Sequence, residues 1–293
     1  MSPTLFTRRE VMQIGGASLL ATALSRSLCA QDTPPKQILY FTKSSDFEHS
    51  VVARSAGQLS YSEKILVEMG KRHGFAVTPS KDGRVFDGEH KKYDAYVFYT
   101  SGDLTKVGSD QAPAMSAAGK QALLDAVHDG KGFVGIHAAT DSFRLASGPD
   151  KIDPYIAMLG GEFVSHGDQQ QARMTVVDKA FPGLEKLGEG FELHEEWYAL
   201  KHFAPDMHVL LVHETQGMKG EMYQRPPFPA TWARQHGQGN VFYTSLGHRE
   251  DVWTNPLFEQ IIVGALRWAT GQVKVELPPN MAQVTPGADT VGK

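Results

Sequence analysis

The chain has 293 residues, one cysteine, 29 lysines and arginines against 33 aspartates and glutamates, and a formal net charge of −4. A lone cysteine excludes an internal disulfide, and an acidic balance without a basic stripe argues against nucleic acid as a partner. The length allows one large α/β domain with its own core, and a small neutral ligand suits the charge better than a polyanion.

The first segment in chain order reads as a targeting sequence. Arg8-Arg9 precedes an uncharged, small and apolar run from Gln13 to Ser25, then Arg26 and Leu28-Cys29-Ala30. Paired arginines, a mildly apolar core and a small exit residue predict an export signal over residues 1–30, of twin-arginine type, and a periplasmic or otherwise exported protein. The alternative, a membrane-anchoring helix, is weaker because the run is too short for a hydrocarbon layer of about 30 Å. No membrane association is expected once the signal is removed. A lipoprotein reading through Cys29 fits poorly with the polar Arg26-Ser27 before it. Cleavage after Ala30 would remove Cys29 and leave no thiol nucleophile.

From residue 31 to 272 the pattern is that of one α/β domain. Gln37 to Thr42, after Pro34-Pro35, is a short apolar run and the first predicted strand. A helix is predicted over Ser62 to His73, with Ile65, Leu66 and Met69 on one face and Gly74 past its end. Phe75 to Thr78 and Ala95 to Thr100 are the next strands. Ser116 to His128 is a second helix, and Phe133 to Ile136 a fourth strand. Continuous apolar strands alternating with helices predict a parallel sheet with helices on both faces.

After Gly160-Gly161 the texture changes. Arg173 to Val177, Phe191 to Leu200 and His208 to His213 predict a β-rich, antiparallel insertion. Asn240 to Ser245 is again a strand, and Asn255-Pro256 caps and starts a last, broadly apolar helix. Residues 273–293, rich in Pro, Gly and small polar residues, predict a loosely ordered tail.

In an open parallel sheet, ligands bind beyond the carboxyl ends of the strands. Asp46, Glu48 and His49 follow the first strand, Ser101-Gly102-Asp103 the third, His137 and Asp141 the fourth, and His248 the strand ending at Ser245. His137 has Gly135 and Ala139 two positions to either side, the spacing of a nucleophile elbow. A core histidine bonded to a carbonyl is the bland alternative. Asp141, four residues on, would share a helical face with His137 and hold its tautomer. His166 follows a glycine turn. Glu195-Glu196 stand beside Trp197-Tyr198, and a strand would send the two carboxylates to opposite faces. Tyr198 and Trp232 offer rings that could stack on a sugar, Trp232 being as readily a core aromatic. His73, His90, His128 and His236 are expected on surface helices or loops.

The ordered set "FTKSSDFEHS", "GKGFVGIHAATDSF", "MLGGEFVSH", "EEWYAL", "PATWAR" and "GNVFYTSLGH" resembles the ThuA-like trehalose-utilisation family, over roughly Ile38 to Thr270. The resemblance implies a flavodoxin-like fold of the class I glutamine amidotransferase type, with His137 at the position those enzymes give to cysteine. It implies carbohydrate catabolism rather than glutaminase chemistry, in a pathway where a partner sugar dehydrogenase makes 3-keto glycosides. It carries the family's motif positions onto His49, His137, Asp141, His166, Glu195, Glu196, Trp232 and His248. Gly148-Pro149-Asp150 departs from the family's usual loop.

Two chemistries fit these residues. His137 with Glu195 or Glu196 could act as base and acid at a glycoside or keto sugar, giving isomerisation, elimination or hydrolysis. Alternatively His49, His137, His166 and His248 could share a divalent metal in a sugar hydrolase, although no H-x-x-x-H or H-E-x-x-H spacing announces one. A periplasmic sugar-binding protein without chemistry is the third reading. Neutral carbohydrate binding alone would not need so many histidines and acids along one sheet edge.

Overall fold

The computed structural model describes residues 34–144 and 151–290. The expected export signal over 1–30 and the Gly148-Pro149-Asp150 segment lie outside the described residues. Strands and helices follow in the order β1 (Lys36–Phe41), α1 (Tyr61–His73), β2 (Phe75–Ser80), β3 (Ala95–Phe98), α2 (Ala117–His128), β4 (Gly132–Ile136), α3 (Pro154–Leu159), β5 (Glu162–His166) and β6 (Gln170–Val176). They continue with β7 (Gly190–Glu195), β8 (Tyr198–Lys201), β9 (His208–His213), β10 (Phe228–His236), β11 (Gly239–Thr244), α4 (Glu250–Trp253), α5 (Pro256–Ala269) and α6 (Met281–Val284).

Nine strands form one sheet in the order β2-β1-β3-β4-β11-β10-β9-β6-β7. The five from β2 to β11 are parallel neighbours. The pairings from β11 to β7 are antiparallel. β3 and β4 are buried along their whole length, as expected of apolar strands with both faces covered. α1 packs with α4 and α5, and α2 with α3. Local chemistry sets the helix ends. Ser60 and Glu63 form a reciprocal capping box at the start of α1, and Gly74 closes it in the left-handed conformation at φ 81°. Among the described residues no helix is long and apolar enough to cross a membrane.

Three expectations need correction. The single strand expected over Phe191 to Leu200 is two strands: β7 pairs with β6 in the large sheet, while β8 pairs with β5 in a separate two-stranded sheet. The break falls at Glu196-Trp197, where the buried Trp197 donates its indole N–H to the Gln170 carbonyl at 2.8 Å. Residues 273–290 are tied down rather than loose. Asn280 bonds both backbone groups of Val209, at 2.6 and 3.1 Å, Met281 and Ala288 are buried, and Arg225 donates to the Ala288 carbonyl. His90 is buried and stacks on Phe86 at 6.0 Å instead of lying on the surface.

Candidate functional site

β4 delivers His137 at the carboxyl edge of the sheet. Its φ of 44° lies in the left-handed region, where a non-glycine residue carries about 1–3 kcal/mol of strain. The surroundings hold it there. The Tyr243 hydroxyl donates to the His137 carbonyl at 2.8 Å, and the Thr140 hydroxyl reaches the same oxygen at 3.3 Å. A side chain on Gly135 would press on Leu159, Tyr243 and Ala139, so the elbow's small-residue requirement is steric. The imidazole Nδ1–H donates to the Ser245 carbonyl at 2.8 Å. That bond fixes the tautomer and leaves the Nε2 lone pair facing outward.

Asp141 does not take that part. His137 to Asp141 form one 3-10 turn rather than the start of a helix, and the Asp141 carboxylate pairs with Arg144. What Nε2 of His137 meets instead is Glu196 Oε2 at 3.3 Å and His248 Nδ1 at 3.3 Å. His248 Nδ1 is itself 3.0 Å from Glu196 Oε2. The rings of His49, His137 and His248 form a near-equilateral triangle, with centroids 5.1, 5.1 and 5.3 Å apart and planes steeply inclined to one another.

One ligand atom each from His49, His137, Glu196 and His248 lies within 4.8 Å of all the others. Two ligands about 2.1 Å from a tetrahedral ion stand about 3.4 Å apart, so the 3.0–3.3 Å contacts have the spacing of a coordination shell. His49 Nδ1 is buried without a hydrogen-bond partner. An orphaned imidazole nitrogen beside this cluster is the type of atom that a cation satisfies.

Burial lowers the pKa of His49 to about 2, helped by the neighbouring His137 and His248. Burial also lowers His137, against the pull of Glu196. Burial opposes ionisation of Glu196, but the His137 and His248 imidazoles beside it outweigh burial and hold the carboxyl well below its usual range. Neutral His49 and His137 beside one carboxylate make a set complementary to a dication.

Glu195 stands behind the cluster. Its Oε1 accepts the backbone N–H groups of Gly247 and His248, both at 2.7 Å, and its Oε2 that of Glu196 at 3.0 Å. Burial raises its pKa to about 7 despite those bonds. Glu195 therefore clamps the loop that presents His248, and Glu196 alone of the pair faces the cluster.

A cavity of about 290 Å³ opens beside the cluster, lined by Asp46, Phe47, His49, Asp141, Arg144, Phe163, His166, Glu196 and Tyr198. His166 is half-exposed, its Nδ1 3.3 Å from Glu196 Oε1, and lies outside the four-donor group expected to contain it. Burial raises the Asp141 carboxyl, with Arg144 opposing. Tyr198 packs its ring 4.0 Å from that of His137 and sets its hydroxyl 3.3 Å from His49 Nε2, so it backs the histidines as well as lining the cavity. Trp232 is a correction. It is 0% exposed, donates its indole N–H to the Leu159 carbonyl at 2.8 Å and packs on Tyr243, so no sugar can reach it. Phe47, Arg144 and Phe163 were not singled out from the sequence. Phe47 lies two residues before His49 in a strand-end loop, the one local sign that could have marked it.

A parallel α/β sheet with histidine at the elbow, and imidazole and carboxylate groups gathered over its carboxyl edge, defines a glutamine amidotransferase-like protein without the thiol. The family model described as ThuA, trehalose utilisation, matches residues 37–269, and the chain belongs to that family. The fold is similar to a ThuA-like protein from Bacteroides uniformis, with 18% identity, TM-score 0.59, and 84% of this chain and 96% of that one covered. A ThuA-like protein from Parabacteroides merdae has 16% identity and TM-score 0.56, covering 88% and 96%. A cytoplasmic protein of Salmonella typhimurium LT2 has 13% identity and TM-score 0.53, covering 82% and 100%. No curated protein matches the chain.

Proposed function

We propose that the protein is a divalent-metal enzyme of carbohydrate metabolism that moves a proton at a glycoside or keto sugar, and that its Arg8-Arg9 leader directs it out of the cytoplasm. The observation that carries this reading is the meeting of His49, His137, Glu196 and His248 within 4.8 Å, beside a cavity that holds further acid–base groups. A divalent ion held by these four supplies Lewis-acid polarisation of a sugar oxygen.

The chain's own residues do the rest. His166, half-exposed across the cavity, removes the proton from the carbon beside a sugar carbonyl, and the electron pair shifts onto the carbonyl oxygen. Passage of the adjacent hydroxyl's proton to the enolate oxygen, and return of the first proton from His166 to the former carbonyl carbon, isomerises the sugar and leaves the new carbonyl on the carbon first deprotonated. Where a substituent on the next carbon leaves instead, the enolate pair re-forms the carbonyl and a new carbon–carbon double bond forms. The carbon–oxygen bonding pair departs with the substituent, and His166 returns its proton to the departing oxygen. General acid–base groups of this kind contribute about 10²–10⁴ in rate. Arg144, Asp46 and Tyr198 position the ring. A sugar dehydrogenase acting earlier would supply the keto form.

Elemental analysis of the purified protein, with assays on glycosides and their 3-keto forms, tests the reading. One divalent ion per chain is expected, with turnover lost in chelator and restored by metal. Turnover that persists without metal sinks the metal centre. Sugar binding with no turnover of any glycoside or keto form makes the protein a binding module.

A further inference from the structure

We propose that Phe47 is an aromatic platform for a second sugar ring, so that the site takes a two-ring carbohydrate with one ring in the cavity and the next on Phe47. The inference rests on the carbohydrate reading above and specifies its substrate class. The cavity beside the cluster, at about 290 Å³, falls at the lower limit of ligand pockets, which span about 300–1,000 Å³. A two-ring sugar would fill or outgrow a space of that size and extend to its mouth.

Phe47 stands at its mouth. The residue is 64% exposed, and among the exposed large apolar side chains of the described residues it alone lines this cavity. A scattered apolar residue on a surface needs no explanation, but this one is held in place. Its carbonyl accepts the Ser101 hydroxyl at 2.6 Å, and Ser45 N–H donates to the Ser101 carbonyl at 2.9 Å. Gly102, at φ 73°, lets the two loops close up, since a side chain there would meet Asp46 at 2.7 Å. The Phe47 ring stands perpendicular to that of His49, centroids 4.9 Å apart, so the platform is fixed relative to the cluster.

An anchored ring with most of its surface in water is suited to the apolar C–H face of a pyranose, which loses hydration on contact. Asp46 and Arg144 border the same opening and offer an acceptor and donors to hydroxyl groups. This is the stacking part that the sequence suggested for Trp232.

Calorimetric titration of the metal-loaded protein with trehalose, glucose and the 3-keto forms of each tests the proposal. The parent protein should prefer the two-ring sugar by about 5- to 10-fold, the size of one aromatic contact. In Phe47→Ala that preference should fall to near unity, and in Phe47→Trp it should return. Metal content of each variant reports on the integrity of the cluster. A preference unchanged in Phe47→Ala overturns the platform, as does an equal loss for both ring sizes that Phe47→Trp does not repair. If the metal-loaded parent binds none of the four sugars, the carbohydrate reading itself fails and takes the platform with it.

Discussion

Glu196 is the one carboxylate among three imidazoles, and its charge sets it apart from them. Replacing it by Gln keeps the shape and removes the negative charge. Metal affinity in Glu196→Gln should fall by at least about 100-fold, whereas Glu195→Gln, which only loosens the His248 loop, should cost about 10- to 100-fold. Competition titration against a metal indicator measures both, and equal losses would mean that the two carboxylates are not divided as described. Trp232 makes the opposite case. As a fully buried indole its replacement by Ala should cost about 3–5 kcal/mol of stability. Denaturant unfolding checks this. A variant of undiminished stability would return Trp232 to the surface.

At the scale of elements, the loop carrying Phe47 and His49 is braced by the start of α1. Glu63, fully buried, accepts from Arg54 at 2.8 Å, from the Thr42 hydroxyl at 2.6 Å and from the Ser60 backbone at 2.8 Å. Burial alone would raise this carboxyl, but the bonds from Arg54, Thr42 and Ser60 prevail and lower it below 4.5. The ionised form is thus favoured by folding, and its stabilisation is present above the unfolded pKa and lost as pH falls through the folded one. Glu63→Gln should cost about 1.5–3 kcal/mol at neutral pH. The gap between variant and parent should hold down to about pH 5 and close as pH drops further below 4.5. Unfolding curves across pH 3–7 (an interval of about four units) check the sign, and a gap that widens on acidification contradicts it.

The helices and parallel strands were legible at this scale because their signals are local. Asn255 caps the helix it precedes, Gly74 ends α1, and β1 to β4 begin and end within about two residues of their apolar runs. β10 was not legible. It lies between β11 and β9 with six consecutive buried residues, so Trp232 and its neighbours show no alternation that would tell core from site. Nor was the break between β7 and β8, which depends on Trp197 finding Gln170 in another strand.

For the whole molecule, the cluster is a staple between distant parts of the chain. His49 comes after β1, His137 after β4, Glu196 between β7 and β8, and His248 after β11. An ion bound there at about 100 times its Kd would add about 2.7 kcal/mol to folding. Chelation should therefore lower the melting temperature by about 5–10 °C for a domain of this size. Calorimetry with and without chelator reads the shift, and its absence in protein shown to carry metal would mean that the site is not built by the fold.

The linear chain alone determined the alternation of strands and helices, the small-residue elbow around His137 and the histidines at strand ends, since each depends on neighbours a few residues apart. Only the tertiary structure decided that Glu196 replaces His166 among the converging donors, that Trp232 is sealed and that Phe47 stands in the open. Those outcomes are set by contacts between segments up to about 200 residues apart, where side-chain direction depends on packing across the sheet rather than on any local period.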